Sequence, residues 1–169
     1  MRSVFLTLIL FALPFAAYAD SGSFSTGPAI KDYGPVADVD VTFPVPKDTV
    51  LRHSFDVAEQ AEDGDLNRTL VSAARFINMH RRSGLDASRI RLAVVVHGKA
   101  VHDVSTEAPS NSELVASLIE NGVSIIVCGQ SAAYYDITMN NLLPGVEMAL
   151  SAMTAHALLQ QQGYTLNPF

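Results

Sequence analysis

Two short runs limit the possible folds of this chain more than any other feature. They are RIRLAVVVHG, residues 89–98, and VSIIVCG, residues 123–129. Each is continuously apolar, rich in β-branched residues and closed by glycine. A strand without polar alternation is covered on both faces, and that is the pattern of a parallel sheet. The segments between and around these runs have helical spacing. In residues 65–84, Leu66, Leu70, Ala73, Ala74, Ile77 and Met79 recur near a 3.6 period, and Gly84 supplies a stop. Residues 110–122 offer Ser110 or Ser112 as N-cap, Glu113 in the first turn and Gly122 past the end. A first strand is predicted over 49–58 and a short helix from Ser131. A short strand follows in 145–151, a helix over 151–163 and a last strand in 164–169. Strict alternation of strand and helix predicts a three-layer α/β fold. It has a mainly parallel sheet of about five strands and helices on both faces.

The chain opens MRSVFLTLILFALPFAAYADSGS. Arg2, the apolar stretch Val4–Phe15 and the small-x-small Ala17-Tyr18-Ala19 form a secretory signal over 1–19, cleaved before Asp20. The apolar stretch is shorter than the roughly 20 residues of a membrane span. The expectation is a periplasmic protein, free of the membrane after cleavage. Residues 20–47, dense in proline and glycine, read as an irregular arm, either mobile or wrapping the domain; DVDVTF, Asp38–Phe43, alternates like an edge strand. The α/β domain then runs over 48–169. The 17 acidic residues outnumber the 11 basic ones. With no basic cluster and no tryptophan, nucleic acid and anionic membrane are excluded as main partners. Arg75, Arg81, Arg82, Arg89 and Arg91 read as a solvated face first and an anion-docking patch second.

In parallel sheets, ligands bind outside the carboxyl ends of the strands. His97-Gly98 and Cys128-Gly129 both fall at such an end. Cys128 is the only cysteine, and exported proteins usually pair their cysteines. A lone thiol is packed and inert, joined to another molecule, or reactive. Gly129 and the small residues after it let a helix start close to the strand. Free N–H groups at a helix start stabilise a thiolate. His97 can lower the thiol further or act as its base, and Gln130 and Ser131 can hydrogen-bond a terminal sulfur or an oxyanion.

LAVVVHGKAV, LIENGVSIIVCGQSAAYYDI and LLPGVEMALSAMTAHALLQQQGYTL occur in order between residues 92 and 166. They resemble the DsrE/DsrF-like family, and more narrowly its exported members, from about Leu51 to Leu166. The resemblance implies an α/β fold of flavodoxin-like appearance and assembly into trimers or hexamers. It also implies, by analogy with the sulfur-relay members, a persulfide carried on the cysteine that Cys128 matches. The chain departs from those members in its export signal. It also has Tyr135-Asp136 where some relatives carry Arg-Gly. The expected function is a persulfide carrier, or binder of a small sulfur species, that acts through Cys128. His97, Gly98, Gly129, Gln130 and Ser131 form the binding set, and a sulfur donor or acceptor protein is the partner. No cofactor is expected, and whether the chain turns over stays open. The alternatives are a non-catalytic oligomeric binding module with a packed cysteine, and a Cys/His metal-binding protein.

Other patterns carry less. His97, His102 and Cys128 suit copper or zinc in ligand type, but a fourth ligand is missing. GQSAA echoes a hydrolase elbow, with Ser131 as nucleophile and Asp136 and His156 following, but lacks the final glycine. Asp56 and Lys99, at predicted strand ends, can tune a thiolate by repulsion and attraction. Met139, Met148 and Met153 read as core or subunit contacts. Asn67-Arg68-Thr69 fits the glycosylation pattern within a predicted helix.

Overall fold

The computed structural model describes residues 23–167; the expected signal, residues 1–19, lies outside them. Seven strands and four α-helices follow in order. They are β1 (Phe24–Ser25), β2 (Val36–Ala37), β3 (Leu51–Val57), α1 (Arg68–Arg82), β4 (Ile90–Val96), α2 (Pro109–Glu120), β5 (Ser124–Cys128), α3 (Gly129–Tyr134), β6 (Glu147–Ala149), α4 (Ala152–Gln161) and β7 (Thr165–Asn167). The main sheet has the order β6-β5-β4-β3-β7, and every pairing in it is parallel. Among the described residues no helix is long and apolar enough to cross a membrane.

The layers follow from strand alternation. Phe55 and Val57 of β3, Leu92, Val94 and Val96 of β4, and Ile125 and Val127 of β5 share a core with Leu70, Ala73, Ala74 and Ile77 of α1 and Leu114, Val115 and Leu118 of α2. The alternate residues Ala93 and Val95 face the other way and meet Ala155 and Leu159 of α4. From β3 to β6 the chain steps across the sheet in one direction. It then returns through α4 to place β7 beside β3. A right-handed crossover that reverses direction must run over the opposite face, so α4 covers that face. The three-layer α/β architecture is thus the one expected from the sequence.

Several local expectations are corrected. Asp38–Phe43 forms no strand, and Val39, Val41 and Phe43 are exposed. Alternation alone is not enough where no sheet edge is at hand to pair. The arm before it wraps the domain. β1 and β2 pair antiparallel, and the intervening chain is tied to α1 by Asn78, which is fully buried. The Asn78 side-chain oxygen accepts from the N–H groups of Ala29 and Ile30 at 3.1 and 2.9 Å. Its amide nitrogen donates to the carbonyls of Ile30, Tyr33 and Gly34 at 2.8, 2.9 and 3.0 Å.

Four of the five arginines read as a charged patch are staples to backbone carbonyls. Arg75 donates to Pro35, Arg81 to Leu85, Arg82 to Val36 and Thr26, and Arg89 to Asp48. Ser110 and Ser112 lie inside α2 instead of capping it. Pro109 takes the first helical position, where its fixed φ and missing N–H cost nothing. Asn67 caps α1, accepting from Thr69 and Leu70. It is 3% exposed, and its amide nitrogen donates to Glu59 O at 3.0 Å and Asp103 Oδ2 at 2.7 Å. That nitrogen is engaged in the fold, which does not suit a glycan acceptor.

Candidate functional site

Both glycines at the strand ends are required by close approach. A β-carbon on Gly129 would stand 2.7 Å from the Ala149 carbonyl oxygen, and one on Gly98, whose φ is +56°, would stand 2.9 Å from that of Ala58. Gly129 therefore lets α3 begin directly from Cys128, two residues earlier than the predicted start at Ser131, hard against the end of β6. Gly98 lets the chain turn from β4 into a 3₁₀ helix, Gly98–Val104, that the sequence did not announce. The turn is fastened by His97 N–H to Val57 O, 2.8 Å. It is also fastened by Gly98 N–H to Ser131 Oγ, 3.0 Å.

Cys128 is 6% exposed and is a free thiol. It lies on the α4 face, as alternation from Ile126 requires. As a neutral thiol it makes no capping hydrogen bond at α3. Its charged form is better served. Burial pushes the Cys128 thiol up, but donation from the Ser131 hydroxyl and from the N–H groups of Ser131, Ala152 and Gln130 outweighs it, so the pKa lies below the ordinary thiol value. The donors come from the first turns of α3 and α4. Ser131 Oγ accepts from Gly98, and its hydroxyl is the largest of the influences that favour the thiolate. Gln130 reaches across to Leu150 O at 3.2 Å.

His97 follows Val96 as Cys128 follows Val127, the last pair of the β4–β5 ladder. The two residues thus leave the sheet side by side on one face. Through Nε2 the His97 ring joins a cluster that the sequence did not assemble. Its Nε2 lies 3.1 Å from Asp56 Oδ2, and His156 Nε2 lies 2.8 Å from Asp56 Oδ1. Burial pushes the Asp56 carboxyl up, but the bonds from His156 and His97 and their charges outweigh it and hold it below the usual carboxylate range. Asp56 thus acts on two imidazoles and not as a repulsive neighbour of the thiol. His156 comes from α4, 100 residues away in sequence; only the return crossover brings it here.

The remaining candidates go elsewhere. The His102 ring packs edge-on to Tyr135, with centroids 4.9 Å apart, and does not join His97 and Cys128. Among the described residues no group of three or more histidines, cysteines or acids is placed to hold a metal. Ser131 with Asp136 and His156 forms no hydrolase triad, since Ser131 serves Cys128 and His156 serves Asp56. Met148 packs against the core, whereas Met139 and Met153 are exposed. Lys99 is exposed on the 3₁₀ helix. A cavity of about 800 Å³ lies away from the thiol, between the loop after β3 and the first turn of α1.

Comparison with known proteins agrees with this architecture. A protein of unknown function, MTH1491 from Methanobacterium thermoautotrophicum, has the same fold. The TM-score is 0.58 and the identity 21%, over 70% of this chain and 99% of that one. The ychN protein from E. coli is similar over 70% of this chain and all of its own, with TM-score 0.50 and 18% identity. No curated protein matches the chain. Residues 54–168 match the DsrE/DsrF-like family, and the chain belongs to that family.

Proposed function

We propose that this protein carries sulfane sulfur as a persulfide on Cys128. The observation that supports it is the place of one buried cysteine where β5 runs directly into α3, with hydroxyl and N–H groups that hold its pKa below the ordinary thiol value. A thiol held below its ordinary pKa ionises more readily and is the better nucleophile for it, and the same groups suit the anionic outer sulfur of a persulfide. The Cys128 thiolate attacks the outer sulfur of a donor persulfide, R–S–SH. A new Cys128–sulfur bond forms, the R–S bond breaks, and the thiolate RS⁻ leaves to take up a proton. The sulfane sulfur keeps its oxidation level, so no oxidant enters. The reverse step on an acceptor thiol discharges the carrier.

Intact-mass spectrometry after exposure to glutathione persulfide tests the reading. The expected product gains about 32 Da, the mass of one sulfur atom on the thiol ladder, and Cys128→Ser gains nothing. A native protein that gains no mass, and whose thiol reacts only on unfolding, supports a binding module with a packed cysteine instead.

We place the carrier in the periplasm on the strength of the leader pattern; N-terminal sequencing of the exported protein should begin at Asp20. Exposed Leu150, Met153 and Leu158 put apolar surface beside the site, and a second copy is its proposed occupant. Sedimentation velocity should then find trimers or hexamers, and Met153→Glu should dissociate them.

A further inference from the structure

The cluster of Asp56, His97 and His156 has no part in holding the fold's apolar core, yet it stands at the functional edge of the sheet. Asp56 is on β3, opposite Val95 of β4, and Val95 is opposite Ile126 of β5. Asp56 and Cys128 are therefore two strands and two residues apart, about 12 Å between α-carbons. That is too far for contact, and His97, whose Nε2 reaches Asp56, comes between them. It sits on the strand between the two, one residue past the last β4–β5 pair. Its backbone is locked to β3 through Val57 and, through Gly98 and Ser131, to the hydroxyl that serves Cys128.

Asp56 engages both imidazoles through Nε2. A carboxylate that accepts from Nε2 sets the tautomer and leaves Nδ1 as the atom that gives or takes a proton. His156, with 15% of its side chain exposed, holds the second carboxylate oxygen, so Asp56 cannot swing away from His97. Its own Nδ1 is buried without a partner, which leaves His97, 32% exposed, as the imidazole that solvent and substrate reach.

We propose that His97 is the proton donor of the sulfur-transfer step and that Asp56, braced by His156, is its positioning residue. This rests on the persulfide reading of Cys128. In the forward step protonated His97 gives its proton to the departing thiolate, so that RSH leaves and neutral His97 remains. In discharge neutral His97 takes the proton of the acceptor thiol. Proton and electron pair balance within the site in both directions. The other titratable groups near this face are placed apart from it. Arg52 is four residues back along β3 from Asp56, and Arg91 four residues back along β4 from Val95. Glu147 is exposed on the edge strand β6. The groups that lower the Cys128 thiol are a hydroxyl and backbone N–H donors.

The test compares two probes on the mature chain across pH. Iodoacetamide reports the thiolate alone, because iodide needs no proton to leave. Glutathione persulfide reports the transfer step. His97→Gln should slow sulfur uptake by 10-fold or more and remove the high-pH decline in its rate, because general acid catalysis contributes about 10²–10⁴. Asp56→Asn should do the same to a lesser degree, with Asp56→Glu recovering part of the rate. Alkylation should keep its pH profile in all three. If the wild type takes up sulfur and His97→Gln takes it up at the same rate with the same profile, the proton-donor proposal is overturned while the carrier stands. If the wild type takes up none, both fall. His97 is outside the core, so its variant carries the test even if Asp56→Asn fails to fold.

Discussion

Replacing Ser131 by alanine removes one of the four groups that favour the Cys128 thiolate, and the consequence can be worked through. A hydrogen bond to a charged group contributes about 1.5–3 kcal/mol, and one pKa unit corresponds to about 1.4 kcal/mol. Three N–H donors remain to share the charge, so the low end applies and the thiol rises by about one unit. Below both midpoints the thiolate fraction then falls about 10-fold. A more basic thiolate is also a better nucleophile, by roughly 3-fold per unit for a Brønsted slope near 0.5. Alkylation by iodoacetamide should therefore run about 3-fold slower than wild type on the acid side and about 3-fold faster on the alkaline plateau. The two rate profiles cross. A variant that merely loosened the site would react faster at every pH, so crossing separates the electrostatic effect from exposure. Ser131→Thr, which keeps the hydroxyl, should follow the wild type. The Gly98 N–H also loses its acceptor, which should lower stability by about 1 kcal/mol. An unmoved midpoint in Ser131→Ala would refute the donor account of this thiol.

Other outcomes follow from the same structure. Gly129→Ala pushes a β-carbon against Ala149 O, so α3 must retreat from β6. The thiol should titrate higher and the protein lose about 1–3 kcal/mol in urea melts. Asn78→Ala leaves five backbone groups of the arm without partners; a loss of about 3 kcal/mol with new protease cleavage within residues 26–37 is expected, and an unchanged digest would count against it. Acid should destabilise the fold in two stages. Burial lowers His53 and His80, and the charge of His80 lowers His53 further, against a smaller upward pull on His80 from the Phe76 carbonyl. Their folded values lie below the unfolded one, so their contribution is whole above about pH 6.5 and is lost as pH falls from there to the folded values. Asp56 is depressed in the fold. Its contribution is present above about pH 4 and lost as pH falls through the folded value. Urea midpoints across pH should show both stages, with His80→Phe removing part of the first.

The sheet was legible because β4 and β5 are covered on both faces, and double burial leaves a run that only a central parallel strand explains. The placement of Cys128 was legible for a related reason. A cysteine and glycine where such a run stops can lie only at the strand's carboxyl end. The strand-end placement of His97 was read on the same ground, but its partner was not. His156 lies within a helix whose apolar positions gave no hint of an inward polar group, and its meeting with Asp56 depends on α4 returning over the far face. The 3₁₀ helix at Gly98–Val104 buries Ala100, Val101 and Val104, a spacing too short for any 3.6-residue pattern to register. Asn78 hid in the same way. A polar residue in the apolar stripe of α1 reads as noise until the arm's unpaired backbone is laid against it. Asp38–Phe43 erred in the opposite sense, since its alternation satisfied a rule for strands that had no ladder to join.

The proposed carrier would have to hold sulfur without losing it to solvent, and the depth of Cys128 suits that need. At 6% exposure the thiol sulfur is screened from bulky oxidants and from adventitious disulfide exchange, which depends on access. Its partner strand explains how it remains ionisable there. Cys128 pairs with Ala149 of β6, and within three residues that chain turns into α4, whose first N–H faces the sulfur. The helix start that stabilises the charge is thus fixed by the same ladder that buries it.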